Sequence, residues 1–238
     1  MRLLLISNST NAGEAYLGHP KEAIQEFLGQ EPVTALFIPY AAVTFSYDAY
    51  EQKVQNRFRE IGHDVQGIHH ADDPVEAVKN AKAIVIGGGN TFHLLREMQK
   101  NKLVDIIRER VLDGVPYIGW SAGSNVACPT IRTTNDMPIV EPEGFMALNV
   151  IPFQINPHYL DTNPEGHAGE TREMRIREFL VANPDSYVVG LREGTMLHIE
   201  DKTIELAGPR KARIFKCDEE AAELAPGDDF SFLLPKTS

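Results

Sequence analysis

Short apolar runs alternate with segments in which apolar residues recur every three or four positions. Leu3 to Ile6, Val33 to Ile38, Ala83 to Ile86 and Tyr117 to Ile118 are short hydrophobic stretches, broken only by Thr34, the last two stopped by glycine. Runs this short, bounded by turn residues, predict strands buried on both faces. Between them, Tyr50, Val54, Phe58 and Ile61 fall on one helical face, as do Leu103, Ile106, Ile107 and Val111. Gly114 then stands where a helix ends in a left-handed residue. Further helices are predicted over Phe92 to Met98 and from about Thr171 to Val181, the latter with Ile176, Phe179 and Leu180 inward. Strands alternating with helices predict an α/β fold with a doubly wound, mostly parallel sheet. After Pro184 the pattern changes: Tyr187 to Leu191, Met196 to Ile199, Thr203 to Leu206 and Ala212 to Cys217 are strand-like with no helix between. These predict an antiparallel extension at one sheet edge. No linker, repeat or low-complexity run interrupts the chain, so residues 1–238 are read as one domain.

Composition narrows the function classes. With 42% hydrophobic and 24% charged residues, the 238-residue chain is ordinary globular material and long enough to form its core without disulfides. A net charge of -11 leaves no electrostatic footprint for nucleic acid or an anionic membrane. Cys128 and Cys217 form no C-x-x-C pair, which fits a reducing compartment. The opening apolar run is too short for a secretion signal, and nothing approaches the ~18 apolar residues of a membrane span, so a cytoplasmic location is expected.

Two glycine-rich segments carry the candidate chemistry, and each directly follows a predicted strand. Gly119-Trp-Ser-Ala-Gly123 has the form of a nucleophile elbow, in which a serine sits on a sharp strand-to-helix turn. A G-x-S-x-G arises by composition alone in roughly one chain in ten, given glycine near 7%. The strand before it and the helix after it are what make it informative. Gly87-Gly-Gly-Asn-Thr91 matches neither the P-loop nor G-x-G-x-x-G. At a strand's carboxyl end it suits an oxyanion-hole donor facing Ser121, with nucleotide binding or a plain turn as the alternatives. Gly89 and Ala122 are the expected backbone donors.

A serine nucleophile needs a base. Of the eight histidines, His158 follows the apolar run Val150 to Ile155 through Asn156-Pro157. This spacing puts it just past a strand end, with its backbone restrained by the preceding proline. His69 and His70 precede Asp72 and Asp73, and His167 lies near Glu170, but neither group has the spacing of a known metal site. His69 and His70 are expected on a surface loop, and neither metal nor cofactor is expected in the chemistry.

Gly87-Gly-Gly-Asn-Thr-Phe92, Gly119-Trp-Ser-Ala-Gly123, Cys128-Pro-Thr-Ile-Arg-Thr-Thr-Asn-Asp-Met-Pro138, Gln154-Ile-Asn-Pro-His158 and Gly166-His-Ala-Gly-Glu-Thr-Arg172 together resemble the dipeptidase E family of aspartyl dipeptidases. The likeness spans nearly the whole chain. It implies a class I glutamine amidotransferase-like (flavodoxin-like) fold; separately, a monomer or homodimer is expected. It also implies serine-type hydrolysis of Asp-X dipeptides, with Ser121 as nucleophile, His158 as base and Asp136 as the acid. A β-aspartyl hydrolase like the cyanophycinases is the alternative within the fold. Outside it stands a non-catalytic protein using the Gly87 to Thr91 loop.

The acid is the open point. In the glutamine amidotransferases, which the fold resembles, it lies two residues after the histidine; here that position is Leu160. Asp136 is the family match, and Glu193, following a predicted strand, is the other choice. Arg172 falls in the first turn of a helix, where a cation opposes the helix dipole. A guanidinium placed there to grip the substrate aspartate bidentately would explain it; a surface ion pair with Glu170 or Glu173 is the plainer reading. Arg132 is the next candidate cation, and Asn90 a further expected substrate contact.

Overall fold

The computed structural model describes residues 1–163, 166 and 168–234. Strand β1 (Arg2–Ile6) leads through α1 (Lys21–Leu28) to β2 (Thr34–Ile38), and α2 (Tyr47–Arg59) leads to β3 (Asp64–Gly67). A 3-10 turn (Ile68–His70) and α3 (Pro74–Asn80) precede β4 (Ile84–Ile86); α4 (Thr91–Lys100) and α5 (Leu103–Leu112) precede β5 (Tyr117–Trp120). A four-residue helix, α6 (Ala122–Asn125), follows at once. The order β3-β2-β4-β5-β1 is parallel throughout, as the βαβ alternation predicts.

The inner strands β1, β4 and β5 are buried on both sides. Leu3 and Leu5 of β1 pack with Val78, Leu94, Ile107 and Val111 of α3–α5. Leu4 and Ile6 pack on the opposite face with Ile24 and Phe27 of α1 and Val54 and Phe58 of α2. Helix starts are fixed locally: Ser46 accepts the Ala49 N–H, and Asp73 accepts those of Val75 and Glu76 with Pro74 at the first position.

The C-terminal half departs from the expected single edge. Strands β6 (Gln154–Tyr159), β7 (Tyr187–Arg192), β8 (Met196–Glu200), β9 (Thr203–Ala207), β10 (Ala212–Lys216) and β11 (Ala222–Leu224) divide between two sheets. β8 and β9 extend the main sheet antiparallel beyond β1, whereas β7 and β10 join β11 and β6 in a second sheet of order β11-β10-β7-β6. Alternation decides the split. Val189, Leu191 and Ile214 join the main core on the α4–α5 side, while Val188 and Phe215 point away and are covered by Ile176 and Leu180 of α7 (Arg172–Ala182). A hairpin confined to one edge would have left one of these two apolar faces in water. Among the described residues no helix is long and apolar enough to cross a membrane.

Candidate active site

The carboxyl ends of β1, β4, β5, β6 and β7 supply the residues that meet here. Ser121 directly follows β5 with φ 53 and ψ -111, a left-handed backbone for an L-residue that costs on the order of 1–3 kcal/mol. The surroundings enforce it. The Ser121 N–H donates to Ile6 O at 3.0 Å, and Ser121 O accepts the N–H groups of Ser124 and Asn125. Gly123 must lack a side chain, because a Cβ there would lie 2.1 Å from Ile86 O. The Ser121 hydroxyl does not cap α6. It lies 2.8 Å from His158 Nε2 instead.

His158 sits within β6, near its end, rather than just past a strand as the apolar run implied. The run's first four residues, Val150 to Phe153, are irregular and the strand begins at Gln154. The β6–β7 register shifts between Pro157 and Tyr159, and His158 has φ 52. This bulge re-aims the imidazole toward Ser121. The His158 N–H donates to Ser7 Oγ at 3.0 Å, and that hydroxyl donates to Leu191 O at 2.7 Å. His158 Nδ1 lies 2.7 Å from Glu193 Oε1. Glu193 follows β7 in a turn whose Gly194 N–H donates to Asn8 Oδ1 at 2.7 Å. Next to it, Arg192 pairs with Asp161, three residues after His158, so the two strand ends that carry the imidazole and the carboxylate are tied together.

The glycine loop faces the elbow. Gly89 has φ 140 and a Cβ there would fall 2.2 Å from Ala41 O, so only glycine fits. Among the described residues, neither the Gly89 nor the Ala122 N–H has an acceptor. The loop and the elbow are also bonded to each other. Trp120 Nε1 donates to the Tyr50 hydroxyl at 3.1 Å, and that hydroxyl donates to Gly88 O at 2.9 Å. Burial pushes the Tyr50 phenol up to about 12, so it keeps its proton at neutral pH.

Residues 3–207 match the family model of peptidase family S51. The chain belongs to this family. It is 54% identical over 237 residues to a peptidase E of Nostoc sp. (strain PCC 7120), covering 100% of this chain and 98% of that one. It is 50% identical over 230 residues to a peptidase E of Shigella flexneri, covering 97% and 100%. The crystal structure of a peptidase from an acI-B1 Actinobacterium shares the fold, with a TM-score of 0.68 at 19% identity over 97% of this chain and 96% of that one. The chain is therefore a peptidase.

In this S51 peptidase the other expected residues fall in three places. Asp136 does not touch His158. Its Oδ2 accepts the Thr91 N–H at 2.7 Å and the hydroxyls of Thr91 and Thr134 at 2.6 and 3.1 Å, so it caps α4. The expectation of an Asp136–imidazole contact is corrected to Glu193: the Thr134 to Met137 loop is held over the glycine loop, and β7 delivers its own carboxylate to Nδ1. Asn90, expected at the substrate, caps α4 as well. Its Oδ1 accepts the His93 N–H at 3.0 Å and its Nδ2 donates to Met137 O at 2.9 Å, so both side-chain groups have protein partners.

Arg172 is the first residue of α7, with Thr171 as its cap. The plainer reading, an ion pair with Glu170 or Glu173, is not what forms: Glu170 pairs with Arg175, and Glu173 with Arg177 and Arg213. Among the described residues Arg172 has no ion pair. Burial, the nearby Arg175 charge and only partial compensation from Asp136 lower its pKa from the usual arginine range. Arg132 is exposed, with its guanidinium 5.6 Å from the Phe145 ring centre. His167 lies outside the described residues. Ser7, Asn8, Tyr50 and Trp120 were not anticipated from sequence. The available signal was polar residues directly after the apolar β1, at the carboxyl end of a parallel strand where such sites form.

Proposed function

We propose that this S51 peptidase hydrolyses dipeptides with an amino-terminal aspartate through an acyl-enzyme on Ser121. The observation that carries the reading is the continuous chain Ser121 Oγ–His158–Glu193, with bonds of 2.8 and 2.7 Å. His158 Nε2 takes the hydroxyl proton as Oγ attacks the scissile carbonyl. Glu193 holds the tautomer with hydrogen on Nδ1 and stabilises the imidazolium. The tetrahedral oxyanion receives the N–H groups of Gly89 and Ala122, the latter one of the orphan donors at a helix start. The imidazolium then returns its proton to the leaving amine, and a water repeats the sequence to release the aspartate. Arg172 grips the substrate β-carboxylate. Asp136 Oδ1, which has no partner among the described residues, accepts from the substrate ammonium. We read the chain as one such domain, working in the cytoplasm; its two cysteines, both free thiols, support a reducing compartment.

Substrate panels of Asp-Leu, Asn-Leu, Glu-Leu and β-Asp-Leu test the reading. Losing a charged hydrogen bond costs about 1.5–3 kcal/mol, roughly 10- to 150-fold. Arg172→Met is therefore expected to lower kcat/KM for Asp-Leu by that factor and to shrink its advantage over Asn-Leu. A mutant with the wild-type Asp/Asn ratio would show that another cation reads the side chain. Faster cleavage of β-Asp-Leu than of Asp-Leu would replace the reading with the β-aspartyl one.

Tyr50 is expected to act at one remove. The Gly88 carbonyl and the Gly89 N–H belong to one peptide plane, so the hydrogen bond from Tyr50 aims the donor. Tyr50→Phe should reduce kcat by a fraction of the roughly 100- to 1000-fold that loss of an oxyanion donor costs, with KM unchanged. Steady-state kinetics decide it: equal kcat would mean that other contacts set this plane.

A further inference from the structure

Helix α2 and the 3-10 turn after β3 bring together four side chains that the proposed reaction does not use. Asp48 and Glu51 lie three residues apart on one face of α2, and His69 and His70 close the turn. His69 Nε2 is 2.9 Å from Asp48 Oδ1 and 3.6 Å from Glu51 Oε2. His70 Nε2 is 2.7 Å from Glu51 Oε2 and 3.6 Å from Asp48 Oδ1. All four ligand atoms lie within 4.8 Å of one another. A tetrahedron with ligand bonds of ~2.0–2.1 Å has edges of about 3.3–3.4 Å, inside the range these pairs span. We propose that Asp48, Glu51, His69 and His70 form a closed tetrahedral site for a zinc-type divalent metal, joining α2 to the turn after β3.

Charge and orientation support this occupant. Among the described residues neither carboxylate has a lysine or arginine partner; their close side-chain contacts are with the two imidazoles. Those rings stand 4.0 Å apart and turn Nε2 toward the same two oxygens. A dication bound by the two imidazoles and the two carboxylates would balance both carboxylate charges. The Gly67 N–H donates to Glu51 Oε1 at 2.7 Å, which fixes the carboxylate with Oε2 facing the rings, as outer-shell partners do in metal sites. Two imidazoles with two carboxylates suit zinc, whereas magnesium and calcium prefer oxygen alone. Asp48 and His70 are open to solvent, which provides the entry path, and Glu51 and His69 form the covered floor.

The test uses the full chain, stripped with a chelator and titrated with ZnCl2 by calorimetry. One zinc per chain is expected, with a higher Tm by mass action. CoCl2 should give the visible bands of a tetrahedral cobalt centre, and MgCl2 should not compete. His70→Ala and Glu51→Gln should each weaken zinc binding by at least roughly 10- to 100-fold while the metal-free Tm stays near wild type. If His70→Ala does not fold, Glu51→Gln and the cobalt spectrum still decide. His158→Ala should keep stoichiometric binding. No bound zinc, an octahedral cobalt spectrum, affinity unchanged in Glu51→Gln, or binding lost in His158→Ala would each overturn the proposal.

Discussion

Ser121→Ala is expected to lower kcat for Asp-Leu on the order of 10⁶-fold, the loss found when a triad nucleophile is removed, with fold and Tm nearly unchanged. The hydroxyl leaves little behind structurally. It caps no helix, and its bond is to the half-exposed His158. The strained backbone at φ 53 is held by main-chain bonds to Ile6, Ser124 and Asn125, none of which involves Oγ. Stability and catalysis therefore separate at this position. Kinetics, a thermal melt and labelling by an active-site phosphonate check it, and only wild type should be labelled. Residual activity within tenfold of wild type would end the nucleophile assignment, and an unlabelled wild type would favour a non-catalytic ligand-binding protein.

Glu193→Gln should cost on the order of 10⁴ in kcat, because a neutral amide allows the wrong imidazole tautomer and offers the imidazolium no charge. Asp136→Asn should behave differently. Asp136 caps α4 through the Thr91 N–H, and losing such a cap costs about 0.5–2 kcal/mol, so Tm should fall by a few degrees. Its loss in kcat/KM should appear mainly as a raised KM, since its free oxygen is the proposed partner of the substrate ammonium. Measuring kcat and KM separately for both variants distinguishes the roles. A 10⁴-fold loss of kcat at unchanged KM in Asp136→Asn, with Glu193→Gln mild, would return the acid to Asp136.

Where the candidate chemistry depends on neighbours in sequence, its residues could be named as candidates. The elbow's small residues, the strand before it and the helix after it are adjacent, so Ser121 could be chosen without coordinates. His158 was reachable by the same logic, although its position inside a bulged strand was not, because a bulge depends on the register of a partner strand. Asp136 failed as the expected imidazole partner for a reason of the same kind. It sits in a loop where a carboxylate two residues past Thr134 caps a helix 45 positions away as readily as it could meet a histidine. Nothing local distinguishes the two.

The periodicity of the chain by itself determined the parallel α/β sheet, because burial on both faces and helical spacing are properties of consecutive residues. Local composition likewise determined the nucleophile's turn and the glycine loop, since left-handed backbone and close approach restrict the residue type at one position. Only the tertiary structure decided that the C-terminal strands serve two sheets, that Glu193 rather than Asp136 meets Nδ1, and that Tyr50 and Trp120 bond the glycine loop to the elbow. It also gathered His69 and His70 with Asp48 and Glu51. The Glu193, Tyr50 and Asp48–Glu51–His69–His70 contacts each join residues 18 or more positions apart in the chain, and a hydrogen bond or a ligand set depends on distances of a few ångströms, which packing fixes and one-dimensional spacing does not.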